Sequence, residues 1–418
     1  MDRRKFLRVT AGAAASVGAT GGIGACTPRL EGGERWLDVR ALFPIDDQTI
    51  HLSGMLLAPH PVPVANAVAR HREALDLDPA GYVEERDGEL KDRARRTAAR
   101  YMGVEKEDVA LTDSTTTGIG LVYAGVQVRS GQELLTTDQD YSATHRALEF
   151  RSLRNGAPIR QLRLFDGMGS PNPDAIVDRI ISAVNDSTRV LALTWVHSGT
   201  GLKLPVKALA ERLEEQNRDR SPADRALLCL DGVHGFGVED EDISDLGCDF
   251  FFAGTHKWIF APRGTGVLWG RPAVQDQVRP TIPTFIRDGS WGARLSPGGF
   301  KAFEHQWSMP EAFAFHDAVG GRAEIQGRIH ALATQLKEGL AAMNGVVVHT
   351  PLERELSSGI VCFDVDGTSP EEVVERLSER RIVASVTPYA RQHARFSPGL
   401  MNTDEEIERA LTAVRGLL

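Results

Sequence analysis

The sequence predicts an α/β fold in which a largely parallel β-sheet is covered by helices on both faces. From about residue 62 onward, segments with helical periodicity alternate with short apolar runs. Such alternation is typical of parallel sheets, because a helix carries the chain back between neighbouring strands. Three of the runs, "ALLCLD", "DFFFAGT" and "GVLWG", are almost wholly apolar, which predicts strands buried on both faces.

The elements of this sheet domain are predicted one after another. Apolar residues at helical spacing predict two helices, at "VPVANAVARHREALDLD" and "ELKDRARRTAARYMG". The strand "DVALTDS" leads into the helix "TTTGIGLVYAGV", and the strand "ELLTTD" into the helix "SATHRALEFRSLRN", which a glycine ends. Two more strand–helix pairs follow, "PIRQLRLF" with "PDAIVDRIISAVN" and "TRVLALTWV" with "PVKALAERLEEQNR".

The C-terminal part predicts a smaller α+β domain. Residues 290–310 are rich in glycine, proline and aromatic residues, which predicts a loop, and a long helix is predicted from about Phe313 to Met343. Three strand-like runs follow, "GVVVHT", "GIVCFDV" and "RIVASVTP", and a capping-box pattern of Thr403 and Glu406 opens the last helix. We expect a large domain over residues 27–310, and a connecting helix with the small domain over residues 311–418.

The first 26 residues predict an export signal that is separate from the fold. Adjacent Arg3 and Arg4 precede a weakly apolar Ala/Gly stretch, which is typical of a twin-arginine signal peptide. The stretch is too short and too rich in glycine for a transmembrane helix. "IGAC" resembles a lipoprotein cleavage box, so a lipid anchor at Cys26 and simple cleavage near Ala25 both stay open, with a disordered basic tail as the alternative. We expect the twin-arginine machinery to export the chain to the periplasm or the outer surface.

The net charge limits the classes of partner that we expect, and the cysteine positions limit the expected disulfide and metal sites. The net charge of −9 argues against a general nucleic-acid binder, which needs a basic face, so we expect small molecules and another protein chain. Cys229, Cys248 and Cys362 lie in apolar runs at irregular spacing, and the sequence shows no CxxC and no Cys/His spacing of a metal site. We interpret them as buried free thiols, with a Cys229–Cys248 bridge as the alternative.

The candidate functional residues stand where predicted strands end, which is where ligands bind in open parallel sheets. "DSTTTG" opens a helix with hydroxyl groups that suit a phosphate. "LLCLDGVHG" ends its strand in Asp231, and "AGTHKW" places His256 and Lys257 after the next strand. Taken singly, these residues also fit an ordinary helix cap, a turn-capping Asp and a lysine that reaches solvent.

Their order and spacing together are specific. A hydroxyl-rich helix start, a strand-end Asp and a lysine 26 residues after that Asp are the arrangement that binds pyridoxal 5′-phosphate (PLP). An amine in apolar surroundings has a lowered pKa and is available as a nucleophile, so Lys257 can form the Schiff base. Asp231 would hold the proton of the pyridine ring so that the ring acts as an electron sink.

The stretches "LCLDGVHGFG" and "DFFFAGTHKWIFAPRGTGVLWG" resemble class V aminotransferases of the fold-type-I family, and most closely the isopenicillin N epimerase-like branch. The resemblance covers nearly everything after about residue 45. It implies a fold-type-I PLP-dependent transferase, with a mostly parallel seven-stranded sheet in the large domain and a smaller α+β C-terminal domain. It also implies a homodimer with the active site at the subunit interface.

The resemblance also implies roles for individual residues. Lys257 matches the lysine that attaches the cofactor, Asp231 matches the partner of the pyridine nitrogen, and His234 matches the residue that bonds the phenolic oxygen. Arg395 matches the arginine of the small domain that grips a substrate carboxylate. The other matches are the phosphate donors Thr115, Thr116 and His256, the ring-stacking Tyr141, Ser198 near the phenolic oxygen, and Ser308 close to a residue that relatives lend to the phosphate across the dimer.

Departures from the family pattern carry information too. Cysteine desulfurases of this family need a cysteine on a mobile loop shortly before the carboxylate-binding arginine, whereas "VASVTPYARQHARF" contains none, which argues against desulfurase activity. Tyr389, Arg391 and His393 occupy this loop, and they either shape substrate choice or are solvated loop residues. Gly254 replaces a small hydroxyl residue that some relatives use near the phosphate.

We therefore expect a PLP-dependent enzyme of the aminotransferase or epimerase type. It would act at Cα of an amino acid or of an amino-acid-like substrate, a class that includes peptidic compounds. The alternatives are a periplasmic tailoring enzyme of a peptide secondary metabolite such as a siderophore, and a PLP-dependent C–S lyase. A non-catalytic binding protein on the same fold is a further alternative, against which the pairing of Lys257 with Asp231 argues.

Overall fold

The computed structural model describes residues 35–164, 172–286 and 288–418. The predicted export signal, residues 1–26, lies outside these described residues. The described chain begins with helix α1 (Arg35–Ala41) and strand β1 (Ile50–His51). Within the described ranges no helix combines the length and the apolar character needed to cross a bilayer.

Seven strands form the central sheet in the order β2-β8-β7-β6-β5-β3-β4. Every strand pair is parallel except those made by β8, which runs antiparallel to β2 and β7. The mostly parallel seven-stranded sheet is thus confirmed. The strands are β2 (Val109–Thr112), β3 (Glu133–Thr137), β4 (Ile159–Leu162), β5 (Thr188–Thr194), β6 (Leu227–Asp231), β7 (Phe250–Gly254) and β8 (Gly266–Gly270).

Helices pack on both faces of this sheet. Successive residues of a strand point to opposite faces, and Phe250 and Phe251 accordingly belong to two separate hydrophobic clusters. Helix α4 contributes to the Phe250 cluster, whereas α3, α6 and α7 contribute to the Phe251 cluster. The helices are α2 (Val62–Leu77), α3 (Pro79–Met102), α4 (Thr115–Gly125), α5 (Ser142–Asn155), α6 (Pro173–Ala183) and α7 (Val206–Asn217).

The segment after the sheet differs from the sequence prediction in two places. The predicted loop at 290–310 contains two short helices, α8 (Trp291–Leu295) and α9 (Phe303–Trp307). The single long helix predicted next is two helices, α10 (Met309–Ala318) and α11 (Arg322–Ala341). Gly320 and Gly321 separate them, with φ values of 110° and 83°, which no helical residue adopts.

The C-terminal part holds an antiparallel sheet of four strands in the order β12-β13-β10-β9. Strand β11 lies apart from it and pairs in parallel with β1, so the N-terminal segment joins the C-terminal elements. The Thr403–Glu406 capping box is present, and Cys229, Cys248 and Cys362 are buried free thiols. The elements are β9 (Val346–Val348), β10 (Val361–Val365), α12 (Pro370–Glu379), β11 (Ile382–Val383), β12 (Ser385–Val386), β13 (Ala394–Phe396) and α13 (Asp404–Arg415).

Candidate active site

A cavity of about 260 Å³ lies at the carboxyl ends of β6 and β7, between the large sheet and β13. This is the edge at which ligands bind in open parallel sheets. Nine of the ten predicted site residues line the cavity. They are Thr115, Thr116, Tyr141, Ser198, Asp231, His234, His256, Lys257 and Arg395.

Asp231 is the last residue of β6, and only 2% of it is exposed. Its carboxylate accepts one hydrogen bond, from the backbone N–H of Val233. Burial raises the pKa of Asp231 to about 6, against the lowering effect of that bond and of the nearby Lys257 charge. At neutral pH the cavity therefore contains a carboxylate that is poorly solvated and available to a positively charged ring.

Lys257 follows β7 and reaches the same cavity. Burial lowers its pKa to about 8, while the Asp231 carboxylate acts in the opposite direction. The ammonium makes no hydrogen bond or ion pair with any residue that the structure describes. Part of the Lys257 amine is therefore neutral near pH 7, and no hydrogen bond or ion pair with a described residue holds it in place. It is available to react as a nucleophile or a base.

His234 lies beside this pair and is buried. Trp258 donates from Nε1 to Nδ1 of His234 over 3.4 Å. Burial holds the pKa of His234 well below its usual range, so the ring is neutral. Because Nδ1 accepts, the single ring proton sits on Nε2, where it is available as a donor to a ligand oxygen.

The N-terminus of α4 forms an anion cradle. The Ser114 side chain caps the helix by accepting from the Thr117 N–H, while the Thr115 and Thr116 N–H groups have no acceptor among the described residues. The Nδ1 atom of His256 is buried and likewise lacks a partner within the described chain. Helix-start N–H groups with an adjacent imidazole suit a phosphate.

Gly254 allows Thr115 and His256 to lie close together in the anion cradle. Its N–H donates to Thr115 Oγ1 over 2.7 Å, which leaves the hydroxyl proton of Thr115 free for a ligand. A Cβ at residue 254 would lie 2.9 Å from Cε1 of His256 and 3.1 Å from Thr115 Oγ1. The absence of a side chain at residue 254 therefore allows the His256 imidazole to approach Thr115 closely.

Tyr141 caps one side of the cavity and is about 40% exposed. The residue before it, Asp140, is buried and accepts four hydrogen bonds, from both polar groups of Thr137, from the Thr136 hydroxyl and from the Thr194 N–H. This fixed carboxylate holds the start of α5 and hence the position of the Tyr141 ring. Sequence reasoning missed Asp140, and the stretch "TTDQD" carries no spacing signal that would have indicated it.

Ser198 and Arg395 link the large sheet to the small domain. Arg395 is buried, and its Nη1 donates to the Ser198 carbonyl over 2.7 Å while its Nε donates to Ser385 Oγ. The remaining Nη2 has no hydrogen-bond partner among the described residues. One edge of a fixed guanidinium is thus left for a carboxylate.

Tyr389 lies at the mouth of the site, and its hydroxyl is 2.7 Å from Ser198 Oγ. Its ring meets that of Tyr141 edge to face, with 6.5 Å between the centroids. The structure therefore places Tyr389 at the site, whereas Arg391 is exposed and His393 is buried in a different cluster.

Ser308 is the predicted site residue that the structure does not bring to the cavity. It is fully buried at the junction of α9 and α10, and its hydroxyl donates to the Glu304 carbonyl over 2.6 Å. The expected loop at 290–310 is partly helical, and Ser308 directly follows one of its short helices. The assignment of Ser308 across a dimer stays a prediction.

The donor set of the cavity fits PLP. The cradle of Thr115, Thr116 and His256 offers N–H donors to a phosphate, at one end of the cavity. Asp231 offers a buried carboxylate to a protonated ring nitrogen, and Lys257 offers an amine with a lowered pKa. The fit is supported by the buried Nδ1 of His256, which has no partner among the described residues and belongs to a side chain that lines the same cavity as Thr115 and Thr116.

Comparison with known proteins agrees with this fold. The family model described as aminotransferase class-V matches residues 83–410. The chain is 27% identical over 401 residues to isopenicillin N epimerase from Streptomyces clavuligerus, which covers 91% of this chain and 98% of the relative. It is 28% identical over 415 residues to isopenicillin N epimerase from Amycolatopsis lactamdurans, with the same shares of 91% and 98%.

A solved structure shows the same fold. It is a mutant of C-DES with glycine covalently linked to its PLP cofactor, and it superposes with a TM-score of 0.81 at 20% sequence identity. The superposition covers 90% of this chain and 98% of that chain. The fold and the cavity define a PLP-dependent enzyme of fold type I. The chain belongs to the class-V aminotransferase family.

Proposed function

We propose that this enzyme exchanges the proton at Cα of an amino acid or a peptide-like amino acid, as an epimerase does. The observation that carries the proposal is the Lys257 amine, which has a lowered pKa and no ion pair and faces a cavity that Arg395 also lines. Arg395 would hold the substrate carboxylate and so orient Cα toward the lysine. The two relatives named isopenicillin N epimerase support this reaction type.

When bound, PLP supplies an electron sink for the electron pair that remains at Cα after the proton leaves. Lys257 would hold the cofactor through Nζ, and the same amine would take the proton from Cα. Asp231 would hold the proton of the ring nitrogen, and His234 would donate from Nε2 to the phenolic oxygen. These roles follow from the donors that the cavity offers.

The loop before Arg395 argues against sulfur transfer. It contains no cysteine, and burial raises the pKa of its Tyr389 phenol, which stays protonated at neutral pH. A protonated hydroxyl is a hydrogen-bond donor and a weak nucleophile. The buried Cys362 is no substitute, because its thiol donates to the Ser198 carbonyl and burial raises the pKa to about 12.

The proposal is tested by incubating the holoenzyme with a panel of amino acids and small peptides in deuterated buffer. We expect deuterium at Cα without keto acid, and inversion where solvent delivers the deuteron to the face opposite Lys257. Lys257→Ala should lower exchange by about 100- to 10,000-fold, the usual worth of a positioned base. Lys207→Ala, which removes an exposed lysine of α7, should leave it unchanged. Keto acid or an elimination product as the main outcome would assign transamination or lyase chemistry instead.

We also propose that the folded holoenzyme is exported through the twin-arginine route, which Arg3 and Arg4 support. Free amino acids are scarce outside the cytoplasm, so an exported enzyme favours a peptidic metabolite as substrate. Cell fractionation of a variant with both arginines changed to lysine tests the route, and unchanged export would refute it.

A further inference from the structure

Three ligand-type side chains meet on one face of the C-terminal sheet, outside the cavity. Asp364 lies on the central strand β10, and the register of β10 with β13 places His393 directly across from it. His349 follows β9 on the other side and stands diagonally opposite Asp364. Since these positions share a face of the sheet, the two imidazoles approach the same carboxylate.

The contacts are close and specific. His349 Nε2 lies 2.6 Å from Asp364 Oδ2, and His393 Nδ1 lies 2.9 Å from Asp364 Oδ1. The two imidazole centroids are 3.7 Å apart. All three ligand atoms lie within 4.8 Å of one another. Both histidines are buried, whereas the Asp364 side chain is 31% exposed, which leaves the cluster open to solvent on one side.

We propose that His349, Asp364 and His393 bind one divalent transition-metal ion of the zinc type. Two imidazole nitrogens and one carboxylate, with a position open to water, form a common ligand set for such ions. The ion would replace the hydrogen bonds within the cluster, and each ring would then carry its proton on its other nitrogen. The two imidazole rings would have to move apart slightly, because the ring centroids of two histidines that bind one ion lie farther apart than those of stacked rings.

Sequence spacing could not show this site. His349 and Asp364 are 15 residues apart, and Asp364 and His393 are 29 apart, so no short metal motif arises and the sequence predicted no metal. The fold alone brings them together, through the antiparallel register. The Arg391 charge acts unfavourably on a cation here, but Arg391 is exposed and its effect is weakened by solvent.

The site would restrain the loop that borders the active site. Thr387 and His393 close the root of this loop, since the Thr387 N–H donates to the His393 carbonyl and the His393 N–H donates to Thr387 Oγ1. Between them, Pro388 lines the cavity and Tyr389 contacts Ser198. An ion on His393 would tie the loop root to β9 and β10.

The test uses the chelator-treated holoenzyme titrated with Co²⁺ alone and with Zn²⁺ alone. We expect one equivalent of Co²⁺, with the visible ligand-field bands of a four- or five-coordinate ion that Zn²⁺ displaces. His349→Gln, His393→Gln and Asp364→Asn should each weaken binding by more than about 10-fold, since even outer-shell losses cost ~10- to 100-fold. His51→Gln and Asp366→Asn, changes of the same chemistry outside the cluster, should not.

A second measurement does not depend on the catalytic reaction. Zn²⁺ should slow amide hydrogen exchange over residues 387–393 in the wild type and not in Asp364→Asn, which keeps the shape of the side chain. Stoichiometry well below one, or equal affinity in the three cluster variants and the controls, would overturn the proposal. The cluster would then be a hydrogen-bonded His–Asp–His group that fixes the loop without an ion.

Discussion

At the scale of single residues, the site holds a buried carboxyl group, Asp231, and a half-buried amine, Lys257, whose ionised forms are both disfavoured. Burial raises the pKa of Asp231 to about 6 and lowers that of Lys257 to about 8. Each group is thereby less stable in its charged form than it would be in water. The folded apoprotein is therefore destabilised by these two groups. A bound cofactor, with its ring cation and reactive aldehyde, removes this destabilisation.

Asp231→Asn should make the apoprotein more stable. Between about pH 4 and pH 6 the folded carboxyl keeps a proton that the unfolded chain has released, so stability falls as pH rises through this window and stays low above it. Asparagine removes the penalty. Urea unfolding should show a gain of about 2–3 kcal/mol at pH 8, where Lys257 is half neutral, and a smaller gain at pH 5.

The same variant should lose affinity for PLP, because an amide cannot hold a proton on the ring nitrogen. Asp366→Asn, which changes an exposed carboxylate near the end of β10, is the control and should alter neither property. A pH-independent stability difference between Asp231→Asn and the wild type would contradict the raised pKa.

The residues that sequence reasoning found are those whose chemistry is tied to a strand end. Asp231 and Lys257 end or follow strands that are obvious from their apolar runs, so their meeting could be predicted. Asp140 was missed because its function is to accept backbone and hydroxyl protons, which no spacing reveals. Ser308 lies away from the cavity of its own chain, and its assignment came from a poorly patterned loop.

At the scale of elements, the phosphate cradle depends on how closely β7 approaches the start of α4. The Gly254 N–H and the Thr115 hydroxyl are in hydrogen-bond contact, and His256 packs over them. A side chain at residue 254 would separate these elements. The spacing between strand and helix, and not the hydroxyl count alone, therefore sets the affinity for phosphate.

Gly254→Ala should weaken PLP binding by about 10- to 100-fold. The added methyl group displaces His256, and losing one hydrogen bond to a charged group costs about 1.5–3 kcal/mol. Absorbance titration of the apoprotein with PLP measures this. Gly88→Ala is the matched control: its Cβ would meet nothing within 4 Å in α3, so we expect unchanged affinity and a stability gain of about 0.5–1 kcal/mol. Equal PLP affinity in both variants would show that the close approach is unimportant.

Most elements followed from periodicity and turn residues, and the exceptions have physical causes. The break between α10 and α11 requires the positive φ values of Gly320 and Gly321. The apolar pattern continues across these two residues, so the sequence pattern does not reveal the break. Short helices such as α9 are stabilised by contacts such as Phe303 stacked on Trp307, and local propensity does not encode these. The pairing of β1 with β11 joins residues more than 300 positions apart.

At the scale of the whole molecule, the large sheet supplies the cofactor donors and the C-terminal part supplies Arg395. A third contributor is expected, because the family resemblance implies a homodimer with the site at the interface. Exposed apolar side chains are concentrated in residues 282–286 and at Phe300, with Phe285 at 75% and Phe300 at 83% exposure. Their rings are 6.1 Å apart and form one patch, of the kind that marks a protein interface.

We propose that the chain forms a homodimer and that this patch, the Phe285–Phe300 patch, lies in its interface. The double variant Phe285→Ser/Phe300→Ser should shift the protein from dimer to monomer at micromolar concentration, because it removes aromatic anchors from the interface. Light scattering after size-exclusion chromatography measures the mass. Leu352→Ser, which removes another exposed apolar side chain from the C-terminal part, should remain dimeric.

The monomer should also bind PLP less tightly than the dimer, since the contribution of the partner subunit to the phosphate cradle around Thr115 would be missing. Raising the concentration of the double variant should then restore both the dimer and the PLP affinity together. A wild-type protein that is monomeric, or a monomeric variant with undiminished PLP affinity, would show that one chain builds the complete site.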